Sequence, residues 1–418
     1  MLRPFIVILP LLVLSLFAAS QAGASGTGPD AAREVKSETA GVTVKQIASS
    51  GQFAMALLSD GHVEAWGLND YGQLGQGFIS SSPRTTPVRV KSATGAGALA
   101  NVKSIAVGWT TAYAVMSNGT VRVWGQNGYS GMHGNGDVGD SETGSTLPVT
   151  INGLTNVKEI DATYGTAIAL HKDGTVSIWG DDSWGQLGDG EGVTPATGLP
   201  VKITSLTGIK DVDGSFGFIG RPFFLAVRGD AKVVSWGDGF YNTLGNGRSS
   251  SFIPRLVNNL ANVTAVSAGE YHAMALLADR TVKAWADDTY GQLGNSVDTY
   301  DHAPTPVKVK NLTGVKAISA GTIFSLALLT NGEAKAWGSD YSGELGNSVE
   351  NECCTDKFPL PVDVKDLTGI TSIVAANGTS FASLGSSARS WGSDGFGKLG
   401  NGSPIEDKPV PVRIKSLP

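Results

Sequence analysis

The stretch that decides the fold begins at Val263 and ends at Val309. Its segments read Val263-Thr-Ala-Val-Ser-Ala-Gly269, Ala273-Met-Ala-Leu-Leu277, Thr281-Val-Lys-Ala-Trp285, Tyr290-Gly-Gln-Leu-Gly-Asn295 and Thr305-Pro-Val-Lys-Val309. Four of these segments are apolar, have the length of a β-strand and are separated by turn residues. The proline in the last of them favours an outer strand, where a missing backbone N–H costs little. The stretch therefore predicts four short antiparallel strands that follow one another along the chain.

A tryptophan ends the third of these strands, and the same arrangement returns seven times along the chain. The repeated tryptophans are Trp66, Trp124, Trp179, Trp236, Trp285, Trp337 and Trp391, at gaps of 58, 55, 57, 49, 52 and 54 residues. A repeat of that length cannot bury its own apolar face, so the repeats must share a core. We predict an all-β fold, a seven-bladed β-propeller of four-stranded antiparallel blades, in which each tryptophan has a structural role between blades.

Composition and the first residues divide the chain into three parts. Glycine is abundant, with 56 in 418 residues, and only 16% of the residues are charged, which suits many short strands joined by tight turns. Residues 1–24 combine Arg3, an apolar run of about 15 residues and small residues for cleavage, which is typical of a secretory signal peptide. A retained membrane anchor is the alternative for this run. We expect residues 25–43 to be a flexible leader and residues 44–418 to be the propeller.

The charge balance bears on partners and location. The chain has 31 basic and 37 acidic residues, and loss of Arg3 with the signal leaves 30 basic ones. An acidic chain of this kind repels phosphate backbones, so we expect no binding to nucleic acid. No other stretch is long enough to cross a membrane. We predict a secreted monomer, extracellular or periplasmic, that has no membrane contact after signal removal and binds a protein partner.

Residue types that carry catalysis or bind metals form no known motif in this sequence. The two cysteines, Cys353 and Cys354, are adjacent and lack further zinc ligands. They form a vicinal disulfide, or they bond to a partner, or they lie in a loop without a function. We predict no cofactor, no metal site and no enzymatic activity. Asp161 and Asp213, at corresponding positions of neighbouring repeats, are the nearest candidates for paired catalytic carboxylates, and capping of turns is their alternative role.

The repeats resemble those of the regulator of chromosome condensation family. The resemblance rests on the order Ala-Gly-x-x-His, Ala-Leu, an Asn/Asp-Gly turn, Trp-Gly, Gly-Gln-Leu-Gly and Pro-Val-x-Val, and it covers about residues 44 to 416. Gly-Gln-Leu-Gly is intact at 72–75, 185–188 and 291–294 and is altered in the other four repeats. The resemblance implies a seven-bladed propeller. It also implies a hydrogen-bonded, structural role for His272, which holds the family's histidine position.

One turn of each repeat varies in a way that indicates recognition. The turn between the first two strands carries an aromatic residue in six of the seven repeats, and equivalent turns of a propeller open on one face. These residues are Phe53, Trp109, Tyr164, Phe216, Tyr271 and Phe324. We predict that they form a partner-binding aromatic face, since tryptophan and tyrosine are enriched in interaction hot spots. The alternative is that the rings fold inward and close the top of the central channel.

Three functions remain open from the sequence. The first is a secreted, non-enzymatic binding propeller, either an interaction scaffold or an inhibitor of a partner protein; exported bacterial members of the family include an inhibitor of β-lactamase. The second is nucleotide exchange on a small GTPase, which the resemblance to the eukaryotic family member implies and the signal peptide disfavours. The third is an enzyme that acts on extracellular polymers. We favour the first.

Overall fold

The computed structural model describes residues 41–128, 130–138, 144–192, 194–216, 221–296, 302–348 and 357–418. Within these ranges the chain forms seven four-stranded antiparallel sheets. Two single 3₁₀ turns, Phe240–Asn242 and Gly395–Gly397, lie between strands. The sheets are the blades of a β-propeller, so the predicted fold is confirmed. The predicted signal peptide, most of the predicted leader, Cys353 and Cys354 lie outside the described residues.

Each blade takes its strands in sequence order from a central channel outward. The innermost strands are β1 (Val44–Ser49), β5 (Val102–Val107), β9 (Val157–Ala162), β13 (Ile209–Gly214), β17 (Val263–Ala268), β21 (Val315–Ala320) and β25 (Ser372–Ala376). The second strands are β2 (Phe53–Leu58), β6 (Thr111–Met116), β10 (Thr166–His171), β14 (Phe223–Arg228), β18 (His272–Leu277), β22 (Phe324–Leu329) and β26 (Thr379–Ser383).

The two remaining strands of each blade carry the repeated tryptophan and the outer edge. The third strands are β3 (Val63–Asn69), β7 (Val121–Gln126), β11 (Val176–Gly180), β15 (Val233–Asp238), β19 (Val282–Ala286), β23 (Ala334–Ser339) and β27 (Ala388–Gly392). The outer strands are β4 (Ser80–Arg89), β8 (Gly144–Thr150), β12 (Thr197–Lys202), β16 (Ser250–Leu256), β20 (Ala303–Lys308), β24 (Lys357–Asp363) and β28 (Lys408–Arg413).

The apolar core lies between blades. The second strand β2 is buried at all six positions, because a neighbouring blade covers each of its faces. The outer strand β4 is exposed or partly buried at nine of its ten positions, as expected of an edge strand. The buried apolar side chains form seven clusters, and each cluster joins two adjacent blades. A single blade therefore has no core of its own, as the repeat length predicts.

The repeated tryptophans hold these interfaces together. All seven are 0% exposed, and each indole Nε1–H donates to a backbone carbonyl of the preceding blade. The bonds run from Trp124 to Gln73, Trp179 to Met132, Trp236 to Gln186, Trp285 to Thr243, Trp337 to Gln292, Trp391 to Glu344 and Trp66 to Lys398, over 2.6 to 3.0 Å. The acceptor always occupies the Gln place of Gly-Gln-Leu-Gly. Since the tryptophan bonds only to the backbone carbonyl, Met132, Thr243 and Lys398 make the same contact as glutamine.

The last glycine of that motif is required by the same contact. A Cβ at Gly75 would lie 3.1 Å from Nε1 of Trp124, and a Cβ at Gly346 would lie 2.6 Å from Nε1 of Trp391. Both glycines also have positive φ, which side chains disfavour. This explains why the motif keeps its final glycine in all seven repeats while its second residue varies.

The ring closes without sharing a strand between its two ends. Blade 1 consists of β1 to β4 and blade 7 of β25 to β28, so each is built from consecutive strands. Trp66 of blade 1 donates to the Lys398 carbonyl of blade 7 over 2.6 Å. Val44 and Leu417 belong to one apolar cluster. The closing interface thus uses the same contacts as the other six.

Candidate functional site

The antiparallel order of strands places two kinds of connection on one face of the propeller. The turn from the first to the second strand and the loop from the third to the fourth strand leave the same end of a blade. We call this the turn face. The opposite face carries the hairpins between second and third strands and the connectors between blades. The six aromatic residues predicted to bind a partner all belong to connections of the turn face or to the strand ends beside them.

Two of these six residues do not reach the surface. Phe53 and Phe324 begin the second strands of their blades, and both are 0% exposed. Each ring packs in the apolar cluster between its own blade and the next. The prediction that Phe53 and Phe324 contact a partner is therefore wrong. The first residue of a second strand points into the blade interface, so its ring is part of the core.

Two others pack against other blades, and one of them, Phe216, lies in the central channel. Trp109 is partly buried and lies over Gly51 of blade 1, where an added Cβ would be 2.6 Å from indole Cζ3. Phe216 of blade 4 lines the channel and packs against the apolar cluster of blades 1 and 2. Phe216 follows the inward alternative and narrows the channel near the turn face.

Tyr164 and Tyr271 present aromatic surface outward. Tyr164 is 51% exposed, and its ring centroid lies 5.7 Å from that of Trp109. Tyr271 is half-buried, and its ring centroid lies 5.4 Å from that of Tyr241, which lies in the loop after the third strand of blade 4. A partner-binding role for Trp109, Tyr164, Phe216 and Tyr271 stays a prediction.

A larger aromatic cluster on the turn face spans blades 3, 4 and 5. At its centre the Arg221 guanidinium lies 3.9 Å from the ring centroid of Trp184 and 4.9 Å from that of Phe240. Arg221 Nη2 donates to Asp238 Oδ1 over 3.1 Å, and the Asp238 side chain is 8% exposed. Burial raises the pKa of Asp238, and the Arg221 charge opposes that rise. The two rings and the carboxylate hold the guanidinium in one orientation.

The cluster reaches blade 5 through Tyr241. This residue has a φ of 59° within the 3₁₀ turn, and its ring centroid lies 4.5 Å from that of Phe240 and 5.3 Å from that of His302. His302 Nδ1 lies 3.0 Å from Asp287 Oδ1. We call the following set the aromatic patch: Trp184, Arg221, Phe240, Tyr241, Tyr271 and His302.

Sequence reasoning missed most of this patch because its rings stand beside a motif that is structural. In five blades an aromatic residue directly precedes the Gly-Gln-Leu-Gly motif or its altered form: Tyr71, Trp184, Tyr241, Tyr290 and Phe396. Four of the five are at least 38% exposed, and Trp184 is partly buried. The signal was present in the sequence, since this repeat position keeps an aromatic residue that the core does not use.

The candidate catalytic carboxylates are bound to backbone in the channel. Asp161 Oδ2 accepts from the Gly214 N–H of the next blade over 2.7 Å, and Asp213 Oδ2 accepts from the Ala268 N–H over 2.7 Å. Serines hold the same place in blades 5 and 6 and accept the same bond over 3.0 and 2.8 Å. This position therefore links the innermost strands of neighbouring blades, which is a structural role.

The electrostatics of the channel follow from burial. Asp161 and Asp213 are hydrogen-bonded to each other, and burial is the largest cause that raises the pKa of each. The charge of Asp161 raises the pKa of Asp213 further, whereas bonds from backbone N–H groups act in the opposite direction. Burial raises the pKa of Glu159 to about 7 and also raises the pKa of Asp211. The charge of Lys158, whose Nζ lies 3.8 Å from a carboxylate oxygen of Glu159, opposes both rises. One proton shared within the pair avoids two adjacent buried charges.

His272 is a structural group. It is fully buried, and its Nε2 lies 2.8 Å from Ser325 Oγ of the next blade. Because Ser325 Oγ donates to the Gln292 carbonyl, the serine oxygen accepts from the His272 Nε2–H. Burial lowers the pKa of His272 to about 3, so the ring is neutral.

No group of three or more His, Cys, Asp or Glu side chains in the described ranges is arranged to hold a metal ion. None of the helical segments in the same ranges combines the length and the apolar character needed to cross a membrane.

The repeats of this chain match known family models. Two models of the regulator of chromosome condensation (RCC1) repeat match the chain, the first at 60–115 and 230–276 and the second at 44–73, 102–130, 263–292 and 315–344. The chain carries RCC1 repeats. The resemblance noted in the sequence is confirmed, and the matched segments fall in blades 1, 2, 4, 5 and 6.

Two curated relatives each align with about seven tenths of this chain. The E3 ubiquitin-protein ligase HERC2 of Mus musculus is 30% identical over 71% of this chain, but the match spans only 6% of HERC2. The ultraviolet-B receptor UVR8 of Arabidopsis thaliana is 28% identical over 73% of this chain and 67% of the receptor. Since the chain covers so little of HERC2, the ligase activity is a property of that protein.

Solved structures of RCC1-like proteins share the fold. Prp20p from Saccharomyces cerevisiae, studied for its binding to Gsp1p and histones, has a TM-score of 0.70 at 22% identity and covers 88% of this chain and 87% of its own. Human WBSCR16 has a TM-score of 0.70 at 18% identity and covers 85% and 94%. At these identities the likeness shows the propeller fold alone.

Proposed function

We propose that this RCC1-repeat chain is a secreted, non-enzymatic propeller whose turn face binds a protein partner. The observation that carries the proposal is the aromatic patch, in which contacting rings surround a fixed arginine across three blades. Tryptophan, tyrosine and arginine are the residue types that dominate interaction hot spots. Scattered exposed rings are ordinary on a protein surface, whereas a contiguous apolar group of them indicates an interaction site.

The patch is preorganised for binding. Arg221 is already held by Asp238 and by two rings, so covering it with a partner costs little side-chain entropy. The aromatic side chains have only two rotatable bonds each, which also keeps that cost low. Phe240 is 52% exposed, and burial of its ring removes apolar area from water at about 25 cal/mol per Å².

Two further observations support the other parts of the proposal. Residues 1–24 have the composition of a secretory signal, which supports export. Asp161, Asp213 and His272 form hydrogen bonds between blades, so the best candidates for catalysis already have structural partners. Expression of the full chain, followed by N-terminal sequencing of the exported product, tests the export. A mature protein that begins near residue 25 is the expected result, and retention of residues 1–24 in the cell would contradict it.

Binding is tested with the mature chain as bait for secreted proteins of its source. The recovered protein is identified by mass spectrometry, purified and titrated by calorimetry against wild type and a Tyr164→Ala/Tyr241→Ala/Tyr271→Ala variant. We expect the variant to lose about 30-fold or more in affinity, since truncating one hot-spot residue costs about 2 kcal/mol or more.

A matched control removes apolar side chains from another surface. Val149, Leu199 and Leu256 are exposed on outer strands, so Val149→Ala/Leu199→Ala/Leu256→Ala should bind like wild type. If the turn-face variant binds as tightly as wild type, or if both variants lose affinity equally, the turn face is not the binding surface.

A further inference from the structure

Lysines recur at one register position at the end of the channel opposite the turn face. The second residue of the innermost strand is lysine in five of the seven blades: Lys45, Lys103, Lys158, Lys210 and Lys316. All five are exposed. Because the innermost strands begin at this end of the channel, the five side chains surround its mouth, and we call them the lysine ring. The ring concentrates positive charge on a chain whose net charge is −6.

A β-bulge separates these positions from strand pairing. The register between first and second strands shifts at the second residue in six blades, for example between Val44 and Gln46. Bulges at the rims of closed sheets re-aim side chains and often lie beside functional sites. Folding does not require lysine at this place, because Thr264 holds it in blade 5 and Thr371 stands there in blade 7. The lysines are therefore available for another use.

Most of this charge is unpaired within the described ranges. Lys158 lies 3.8 Å from Glu159, and its Nζ donates to the Lys210 carbonyl over 2.7 Å. The other four lysines have no carboxylate oxygen within 4.0 Å among the residues that the structure describes. The carboxylates of the hairpins on this face have local partners: Asp60 lies 3.1 Å from His62 Nδ1, Asp230 lies 3.3 Å from Arg228, and Asp173 and Asp279 accept hydrogen bonds from Thr175 and Thr281.

We propose that the lysine ring binds an acidic polypeptide segment that lies across the channel mouth. Glu159, Asp161 and Asp213 line the channel behind the ring, so a small anion is repelled from entering it. An extended peptide places every second side chain on one face at about 7 Å intervals, which suits charges distributed around a mouth. A long polyanion would extend past the ring over the rest of a chain whose net charge is −6. This surface is opposite the turn face and is independent of the function proposed above.

The test is a fluorescence anisotropy titration of the mature protein with a labelled oligoglutamate peptide. An oligoglutamine peptide of equal length is the uncharged probe. We expect saturable binding of oligoglutamate alone, and its affinity should fall as salt screens the exposed charges. The variant Lys45→Thr/Lys103→Thr/Lys316→Thr should bind about tenfold more weakly. Threonine is the residue that the fold already carries at this position, and an unchanged melting curve confirms that the variant folds.

The control makes the same change in net charge elsewhere. Lys202, Lys308 and Lys365 are exposed at or after outer strands, so Lys202→Thr/Lys308→Thr/Lys365→Thr should bind the peptide like wild type. Equal weakening by both variants would show that net charge alone governs binding and would overturn the proposal. So would tighter binding to phosphatidylserine vesicles or to single-stranded DNA than to the peptide. If the threonine variant misfolds, the same three lysines changed to glutamine give the measurement.

Discussion

Each repeated tryptophan fills apolar space between two blades and satisfies one buried carbonyl of the preceding blade. Trp236, for example, is 0% exposed and donates to the Gln186 carbonyl over 2.9 Å. The two contributions differ in kind. The ring stabilises by burial, whereas the N–H prevents the loss that an unpaired buried carbonyl brings. A substitution that keeps an aromatic ring but removes the N–H donor separates the contribution of burial from that of the hydrogen bond.

We expect Trp236→Phe to lower the free energy of unfolding by about 1–3 kcal/mol, because it leaves the Gln186 carbonyl without its donor. Trp236→Ala should cost about 3–5 kcal/mol, because a large cavity is added. Equilibrium urea unfolding measures both. Trp184→Phe on the turn face is the control and should stay within about 0.5 kcal/mol of wild type. If Trp236→Phe is as stable as Trp184→Phe, the hydrogen bond to the Gln186 carbonyl makes no net contribution to stability.

The aromatic residues of this repeated turn lie in three different environments, and the sequence alone does not distinguish them. Phe53 lies in the core, Phe216 lines the channel and Tyr164 is exposed. Their places in the repeat are similar, so the difference comes from what the neighbouring blade leaves open. The neighbouring blade is about one repeat away in sequence, so no local sequence pattern predicts the shape of its surface.

The innermost strand carries two kinds of side chain with different tasks. Its second residue is bulged and often lysine, and its fifth residue faces the channel and links to the next blade. In blades 3 and 4 the linking residue is aspartate, in blades 5 and 6 it is serine. Aspartate makes the same bond as serine but adds an ionisable group to a buried site, so these two blades respond to pH.

We expect the Asp161–Asp213 pair to contribute a fall in the free energy of unfolding as pH rises from about 4 to about 7, seen as the difference between wild type and Asp161→Asn. Buried His272, whose folded pKa is about 3, contributes a rise over the same range and is common to both proteins. Burial raises the folded-state pKa of Asp161 to about 6 and that of Asp213 well above its ordinary value of 3.8. Carboxyls with raised pKa contribute stability that is present below their unfolded pKa and is lost as pH passes the folded pKa. The expected fall is about 1–3 kcal/mol, measured by urea unfolding at each pH.

Asp161→Asn should flatten this pH dependence, since the amide oxygen still accepts from the Gly214 N–H and carries no charge. Asp173→Asn is the control. Asp173 is exposed, and hydrogen bonds from Thr175 lower its pKa, so it does not contribute to a loss of stability with rising pH. The carboxyl pair is not responsible if Asp161→Asn keeps the wild-type slope.

Residues 44–418 form a ring in which all seven interfaces, including the closing one, have the same design. Val44 and Leu417 share an apolar cluster, although they lie at the two ends of the propeller in sequence. Elsewhere two residues separate the equivalent pair, as in Leu154-Thr-Asn-Val157 and Leu206-Thr-Gly-Ile209. The closing interface therefore lacks only a short connector that every other interface has.

A circular permutant should fold to the same propeller. We would join Leu417 to Val44 through Thr-Gly and open the chain in the exposed connector between Asn152 and Gly153. We expect a single thermal transition within about 5 °C of the wild-type melting temperature, because no strand is divided. Opening the chain inside the buried strand β10, between Ile168 and Ala169, is the control and should prevent folding. Misfolding of the connector permutant would show that the closing interface differs from the rest.

The repeat itself could be predicted from sequence in full. Seven tryptophans at nearly even spacing, hairpin turns before them and strand-length apolar segments determine strand order, blade number and shared core, because all are local or periodic patterns. The surfaces could not be predicted in the same way. Which ring of a turn is exposed, that Arg221 lies between Trp184 and Phe240, and that five lysines meet at one mouth depend on contacts between residues far apart in sequence. Only closure of the ring brings those residues together.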